Sequence, residues 1–243
     1  MPSRSHTGNE RREVSRLEGF SDAVFAFGVT LLVVSLEVPR TFDELWDTMR
    51  GFLAFAICFT ILFQVWYRHF TYFRRYGLED TFTTIATAIL LFVVLFYVYP
   101  LKFLWTLVLS NFLGGATVHR PGGRVEAMIL DAQVPRLFEI YGLGFAAVFL
   151  VFAALYWHAY RRRGALGLTA HQTLDARLSI LSNAGQAGIG LLSAAIAFFG
   201  GVRATMPAGF IYFGIGLVEW GLGEYGGRQR KRLDVSTTRI SRA

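Results

Sequence analysis

Cysteine is almost absent. Cys58 stands alone in an apolar block, so no intramolecular disulfide can form, and no CxxC or Cys/His spacing offers a metal site. The catalytic signatures are missing too: there is no GxSxG, no HExxH and no Walker loop, and no paired carboxylates at catalytic spacing within an apolar run. The expectation is a protein that is not an enzyme, with no cofactor and no metal. The first residues, MPSRSHTGNERREVSR, lack the character of a cleavable signal: the apolar run behind them is too long for a signal core and no small-x-small cleavage site follows.

What the sequence has is apolar blocks. Hydrophobic residues make up 53% and aromatics 16%, with 23 phenylalanines. The 24 Lys and Arg against 17 Asp and Glu, net +7, would suit nucleic acid if they clustered on one face. Instead they fill the gaps between the blocks, as membrane topology requires, so no nucleic-acid partner is expected. Six spans are predicted, at about Leu17–Val38, Met49–Tyr67 with a polar extension to Arg75, Thr81–Tyr99, Leu137–Tyr160, Ala176–Phe199 and Met206–Tyr225. Pro39 and Pro100 are read as stops for the first and third spans, and Gly200-Gly201 as the break after the fifth. Residues 101–113 are apolar but short, and are read as a continuation of the third helix or an interfacial segment; residues 114–135 are the clearest loop. With the N-terminus inside, 17 of the 24 basic residues fall in inside segments. An even number of spans with both ends cytoplasmic fits the positive-inside rule.

The most unusual stretch is Arg16–Pro39, RLEGFSDAVFAFGVTLLVVSLEVP, a run long enough to span that carries Asp22 near its start. A carboxylate there faces protein or water by default. As a helix, the stretch aligns Phe20, Val24, Phe27, Leu31, Val34 and Val38 at steps of three and four, with Thr30 beside them. Arg16-x-x-x-Phe20-Ser21-Asp22, then Ala23-Val24-Phe25-Ala26 and Thr30-Leu31-Leu32, resembles the first-helix signature of the transmembrane protein 175 family, potassium-permeable channels of lysosomes and bacteria. Trp66-x-x-His69 resembles that family's second helix.

The resemblance implies an all-α, polytopic protein of six transmembrane helices, with a tetrameric architecture that lacks a TVGYG filter. One copy of the motif and one six-helix set imply a homotetramer with four first helices around the axis. The implied function is a potassium-selective or potassium-preferring cation channel in the cell membrane, passive, and open to other monovalent cations as well. A secondary transporter or a proton-permeable leak channel is the alternative. The parts are a cytoplasmic segment at 1–15, a channel domain at 16–226 and a basic cytoplasmic tail at 227–243.

Phe27 falls where the family has its narrowest constriction, an Ile or Leu three residues before the motif threonine; Thr30 or Leu31, then Val34, form the next layers. Hydrophobic constrictions gate by dewetting, whereas hydroxyl or carbonyl rings replace ion hydration. Asp22 is expected to bond with Ser21, Trp66, His69 or Arg16. Arg16 and Asp22 lie six residues apart, about 240° around a helix, so Arg16 is expected to reach a neighbouring helix or subunit. This group either locks helix packing or touches ions directly at a pore mouth. Glu37 either attracts cations to the outer mouth or is simply solvated. Glu219 and Glu224 lie in the last span without an assigned role. Asn183 and Gln186 are expected to bond across helices, and Gly185, Gly188 and Gly190 to permit close packing.

Overall fold

The protein was analysed as a computed structural model, which describes residues 14–34, 40–113, 117–119 and 125–240. The described residues are helical apart from short connections and a hairpin of two three-residue strands, β1 (Thr117–His119) and β2 (Val125–Ala127), paired antiparallel with Thr117 opposite Ala127. The helices are α1 (Arg16–Val34), α2 (Phe42–Tyr76), α3 (Thr81–Leu113), α4 (Val134–Arg161), α5 (Ala170–Gly200), the short α6 (Thr205–Phe210) and α7 (Gly214–Ile240). Among the described residues five stretches are long and apolar enough to cross a membrane, the last being Ala170–Val235. That last stretch is a hairpin. Gly201 adopts φ 57°, a left-handed conformation open to glycine at little cost, and the chain turns back. Ser193 Oγ then donates to Ala208 O at 2.8 Å, and Ser182 meets Glu219 further along. The hairpin's two arms are the fifth and sixth expected spans.

Several boundaries differ from the sequence expectation. α2 begins at Phe42, inside the stretch read as a connection, because Thr41 caps it: the Glu44 N–H donates to Thr41 Oγ1 at 3.2 Å. Pro100 does not end the third span. α3 runs through it to Leu113, and the Pro100 carbonyl accepts from the Tyr141 hydroxyl of α4. Membrane helices tolerate an interior proline, and residues 101–113 continue α3. The last span is broken near its start, where α6, a 3₁₀ turn at Ile211–Phe213 and α7 succeed one another. α7 then continues without interruption past Gly227 into the basic segment.

α1, α2 and α3 pack as one group and α4 with the α5–α7 hairpin as another, joined through α3 and α4. The first group's core is Phe25 and Leu32 of α1, Cys58, Leu62 and Phe73 of α2, and Leu90, Val94 and Val98 of α3, with Phe152 and Leu155 of α4 against it. Tyrosine hydroxyls tie the groups: Tyr72 donates to Leu155 O at 3.2 Å and Tyr97 to Tyr141 O at 2.9 Å.

At the end where α2 turns into α3, Asp80 accepts the Thr83 N–H at 2.9 Å, capping α3. It also lies 2.6 Å from His158 Nε2 and 3.2 Å from Arg162 Nη2, and so ties α3 to the end of α4. Partial burial pushes the Asp80 pKa up, but the Thr83 N–H and the His158 ring outweigh it and hold the group down at about 2. A depressed carboxylate adds stability above its ordinary value near 3.8 and loses it as pH falls toward 2. Thermal stability in detergent should therefore drop between pH 4 and pH 2 through this group. Asp80→Asn should lower stability at pH 7 and flatten that acid slope; an unchanged slope would remove Asp80 as its source.

Candidate functional site

α1 starts on a capping box. Glu18 N–H donates to Ser15 Oγ at 3.1 Å, and Ser15 N–H to Glu18 Oε2 at 2.9 Å. Past it, the helix has two unlike faces. One packs inward: Ser21, Phe25, Gly28 and Leu32 are buried. Ser21 is fully buried and its hydroxyl donates to Leu17 O at 2.8 Å, so it consumes its own donor within the helix. At the far end Lys102 Nζ of α3 donates to Leu32 O at 3.4 Å, placing a cation by the carbonyl end of α1.

The other face is left uncovered by the chain's own core. Arg16, Phe20, Ala23, Phe27, Thr30 and Val34 are exposed along it at steps of three and four; Phe27 is 55% exposed and Val34 72%. The expected stripe is therefore turned by part of a helical step. Val24 and Leu31 are half-buried and pack on the α1–α3 core, while Thr30 moves into the middle of the exposed face. Thr30 Oγ1 donates to Ala26 O at 3.0 Å, which uses the hydroxyl proton and leaves the oxygen's lone pairs available to a cation. Glu37 and Val38 lie outside the described residues.

Of the possible partners for Asp22, the structure joins Trp66: its indole N–H donates to Asp22 Oδ1 at 2.7 Å, linking α1 to α2. Ser21 bonds elsewhere. His69 is 1% exposed and packs its ring between Phe25 and Phe73, at centroid distances of 5.9 and 4.6 Å. Its Nε2 has no hydrogen-bond partner among the described residues. Arg16 is exposed at the start of the helix. Beside Asp22 an apolar cavity of about 340 Å³ runs between α1 and α2, lined by Phe25, Val29, Phe59, Phe63 and Trp66 among others. On α2, Phe52, Phe55, Phe59, Phe63, Trp66 and Phe70 form a ladder of successive ring contacts.

A hydrogen bond to a charged acceptor contributes about 1.5–3 kcal/mol. Trp66→Phe and Asp22→Asn should each lower the thermal stability of the purified assembly by an amount of that order, and their double variant by little more than either alone. Melting followed by size-exclusion chromatography checks it. Additive losses would mean that the two side chains act separately.

Two clusters were harder to see from sequence. One joins Asp80 to His158 and Arg162, and its only local signal is an N-cap aspartate before an apolar run. Glu219, Asn183 and Gln186 were noticed, but not their grouping: Glu219 Oε1 accepts from Ser182 and Gln186, and Asn183 accepts from Arg68.

Repeated apolar crossings and a first helix with one face outside its own core define a multi-pass helical membrane protein. The comparisons narrow the class. Residues 16–97 match the family of the endosomal/lysosomal potassium channel TMEM175. A "Potassium channel" of Marivirga tractuosa is 40% identical over 211 residues, 83% of each chain. One of Chamaesiphon minutus is 29% identical over 158 residues, 62% of this chain and 68% of its own. Among solved structures, a variant of the potassium channel MtTMEM175 in complex with a nanobody–MBP fusion superposes at TM-score 0.76 and 34% identity, covering 94% of this chain and all of that one. The TMEM175 homologue of Chamaesiphon minutus shares the fold at TM-score 0.51 and 22% identity, over 85% of this chain and 96% of that one. The chain belongs to the TMEM175 potassium channel family.

Proposed function

We propose that four copies of the chain assemble with their α1 helices around a central axis and conduct potassium passively across the cell membrane. The observation that carries this reading is the uncovered face of α1. The subunit buries Ser21, Gly28 and Leu32 and leaves Phe27, Thr30 and Val34 in line on the opposite side. Four such faces around an axis would form an apolar constriction at Phe27, a ring of threonine oxygens at Thr30 and an apolar layer at Val34. Leu31 would flank the pore. The Asp22–Trp66 bond would hold α1 in position from behind, while the Phe-rich groove between α1 and α2 would receive the neighbouring subunit. The names of the relatives, potassium channels, favour potassium over other monovalent cations as the permeant ion. The basic bias of the segments at one end of the helices supports both termini being cytoplasmic. Residues 16–226 would form the pore domain, with 1–15 and 227–243 outside the bilayer.

The test is ion flux into liposomes holding the purified protein, driven first by a potassium gradient and then by a sodium gradient. Potassium flux well above sodium flux, with no second substrate or energy source, is the expected result. Flux that requires a co-substrate or a counter-gradient would overturn the channel in favour of a transporter.

A further inference from the structure

On the other side of the subunit, α2, α4, α5 and α7 line an open polar cleft of about 360 Å³. Arg68 and Glu219 both line it. A charged pair in contact gains about 4 kcal/mol even at an effective dielectric of 20, yet among the described residues these two do not form an ion pair. Each is held by a different part of α5. Arg68 Nη1 donates to Asn183 Oδ1 at 3.4 Å, with the guanidinium 5.2 Å from the Phe149 ring centroid. Glu219 Oε1 accepts from Ser182 Oγ at 2.5 Å and from Gln186 Nε2 at 2.6 Å. Asn183 and Gln186 are 2% and 3% exposed, so both holding groups belong to the packed core. The arrangement leaves Glu219 Oε2 and the remaining guanidinium N–H groups of Arg68 without partners among the described residues. One cation and one anion, each oriented by a buried amide and each with bonding capacity to spare, face a common space.

The depth of the cleft is informative. Arg68 lies six residues inward of Arg74 on α2, and Ser182 five residues inward of Arg177 on α5. At about 1.5 Å per residue these are separations of about 9 and 7.5 Å. With Arg74 and Arg177 in the headgroup layer, the cleft sits where headgroups give way to acyl chains. Glu219 is exposed on the flank of the hairpin, beside Leu217 at 73% and Trp220 at 74% exposure. An acid on an apolar flank at that depth is costly unless something polar covers it.

We propose that this cleft binds the headgroup of an amine-bearing, zwitterionic phospholipid, phosphatidylethanolamine, with its phosphate on Arg68 and its ammonium on Glu219. The ligand's dipole then bridges two charges that the protein holds apart, and its acyl chains run out over Leu217 and Trp220. A phospholipid without an ammonium satisfies only Arg68. A soluble phosphoethanolamine ester has the same polar group but no chains to hold it at the flank.

The experiment is native mass spectrometry of the purified assembly, titrated with phosphatidylethanolamine or phosphatidylglycerol. Wild type should retain phosphatidylethanolamine about tenfold more tightly, the size of one charge-assisted hydrogen bond. Glu219→Gln should abolish that preference while keeping phosphate-dependent retention, and Arg68→Gln should weaken both lipids. Leu222→Trp, which leaves both charges in place but fills the cleft from its wall, should also lose phosphatidylethanolamine, and covers the case in which a charge variant fails to fold. Millimolar glycerophosphoethanolamine should not displace the lipid. Equal retention of the two lipids by wild type, or an intact preference in Glu219→Gln, overturns the proposal. Displacement by the soluble ester overturns the lipid as the source.

Discussion

Phe27→Ala should raise potassium flux by about tenfold, the change produced by lowering a barrier by about 1.4 kcal/mol. A phenylalanine 55% exposed on α1 lies outside the buried core of its own subunit, so truncating it should leave folding intact. In the proposed tetramer the same four rings meet at the axis. A narrow ring of aromatic side chains expels water, and an ion crossing it must shed hydration without replacement. Alanine widens and wets that layer. Val34→Ala, on the same face but with less side chain to remove, should change flux much less. The measurement is liposome flux normalised to tetramer content. Unchanged flux from correctly assembled Phe27→Ala would mean that the uncovered face of α1 packs against something other than a pore.

The phase of α1 shows what the sequence could and could not convey. Length, apolar blocks and basic gaps define the spans, because the bilayer imposes them on composition directly. The rotation of α1 is not defined in that way, since the helix is apolar on every side and hydropathy has no phase to report. The expected stripe through Val24 and Leu31 is thus displaced toward Ala23 and Thr30. The residues that set the rotation are the small ones: Ser21 and Gly28 allow α2 and α3 to approach, and Gly28 lies against Leu62, Leu95 and Val98. The site is legible in the same uneven way. Asp22 and Trp66 stand out because charge and indole are rare in such runs. Arg68, by contrast, looks like one more basic residue at a helix end, and its meeting with Asn183 depends on a contact between helices more than a hundred residues apart in the chain. The proline signal failed at Pro100 because a membrane helix tolerates an interior proline, and α3 runs through it to Leu113.

Gly190→Ala and Gly188→Ala should act in opposite directions, although they make the same change two residues apart on α5. A Cβ on Gly190 would stand 2.7 Å from the Gly142 carbonyl oxygen and 3.1 Å from the Ala146 nitrogen; one on Gly142 would stand 2.5 Å from the Gly190 carbonyl oxygen. These obstacles are backbone atoms, so no rotamer change relieves them and α4 must move away from α5. Gly142 and Ala146 on one helix face Gly190 and Ala194 on the other, the small-residue spacing that lets membrane helices pack backbone to backbone. Separation would loosen the most extensive helix pairing in the chain and disturb the Tyr141 bonds to α3 next to it. Overpacking of this kind costs about 1–3 kcal/mol, and valine in place of alanine should prevent assembly. At Gly188 an added Cβ meets nothing within 4 Å, so alanine there gains only its helix propensity, up to about 1 kcal/mol. The two melting curves, measured in one detergent, should therefore move apart: Gly190→Ala below wild type and Gly188→Ala at or above it. If both shift together, the close approach of α4 and α5 is not what holds this half of the bundle, and the framework behind Arg68, Asn183 and Glu219 must be supported elsewhere.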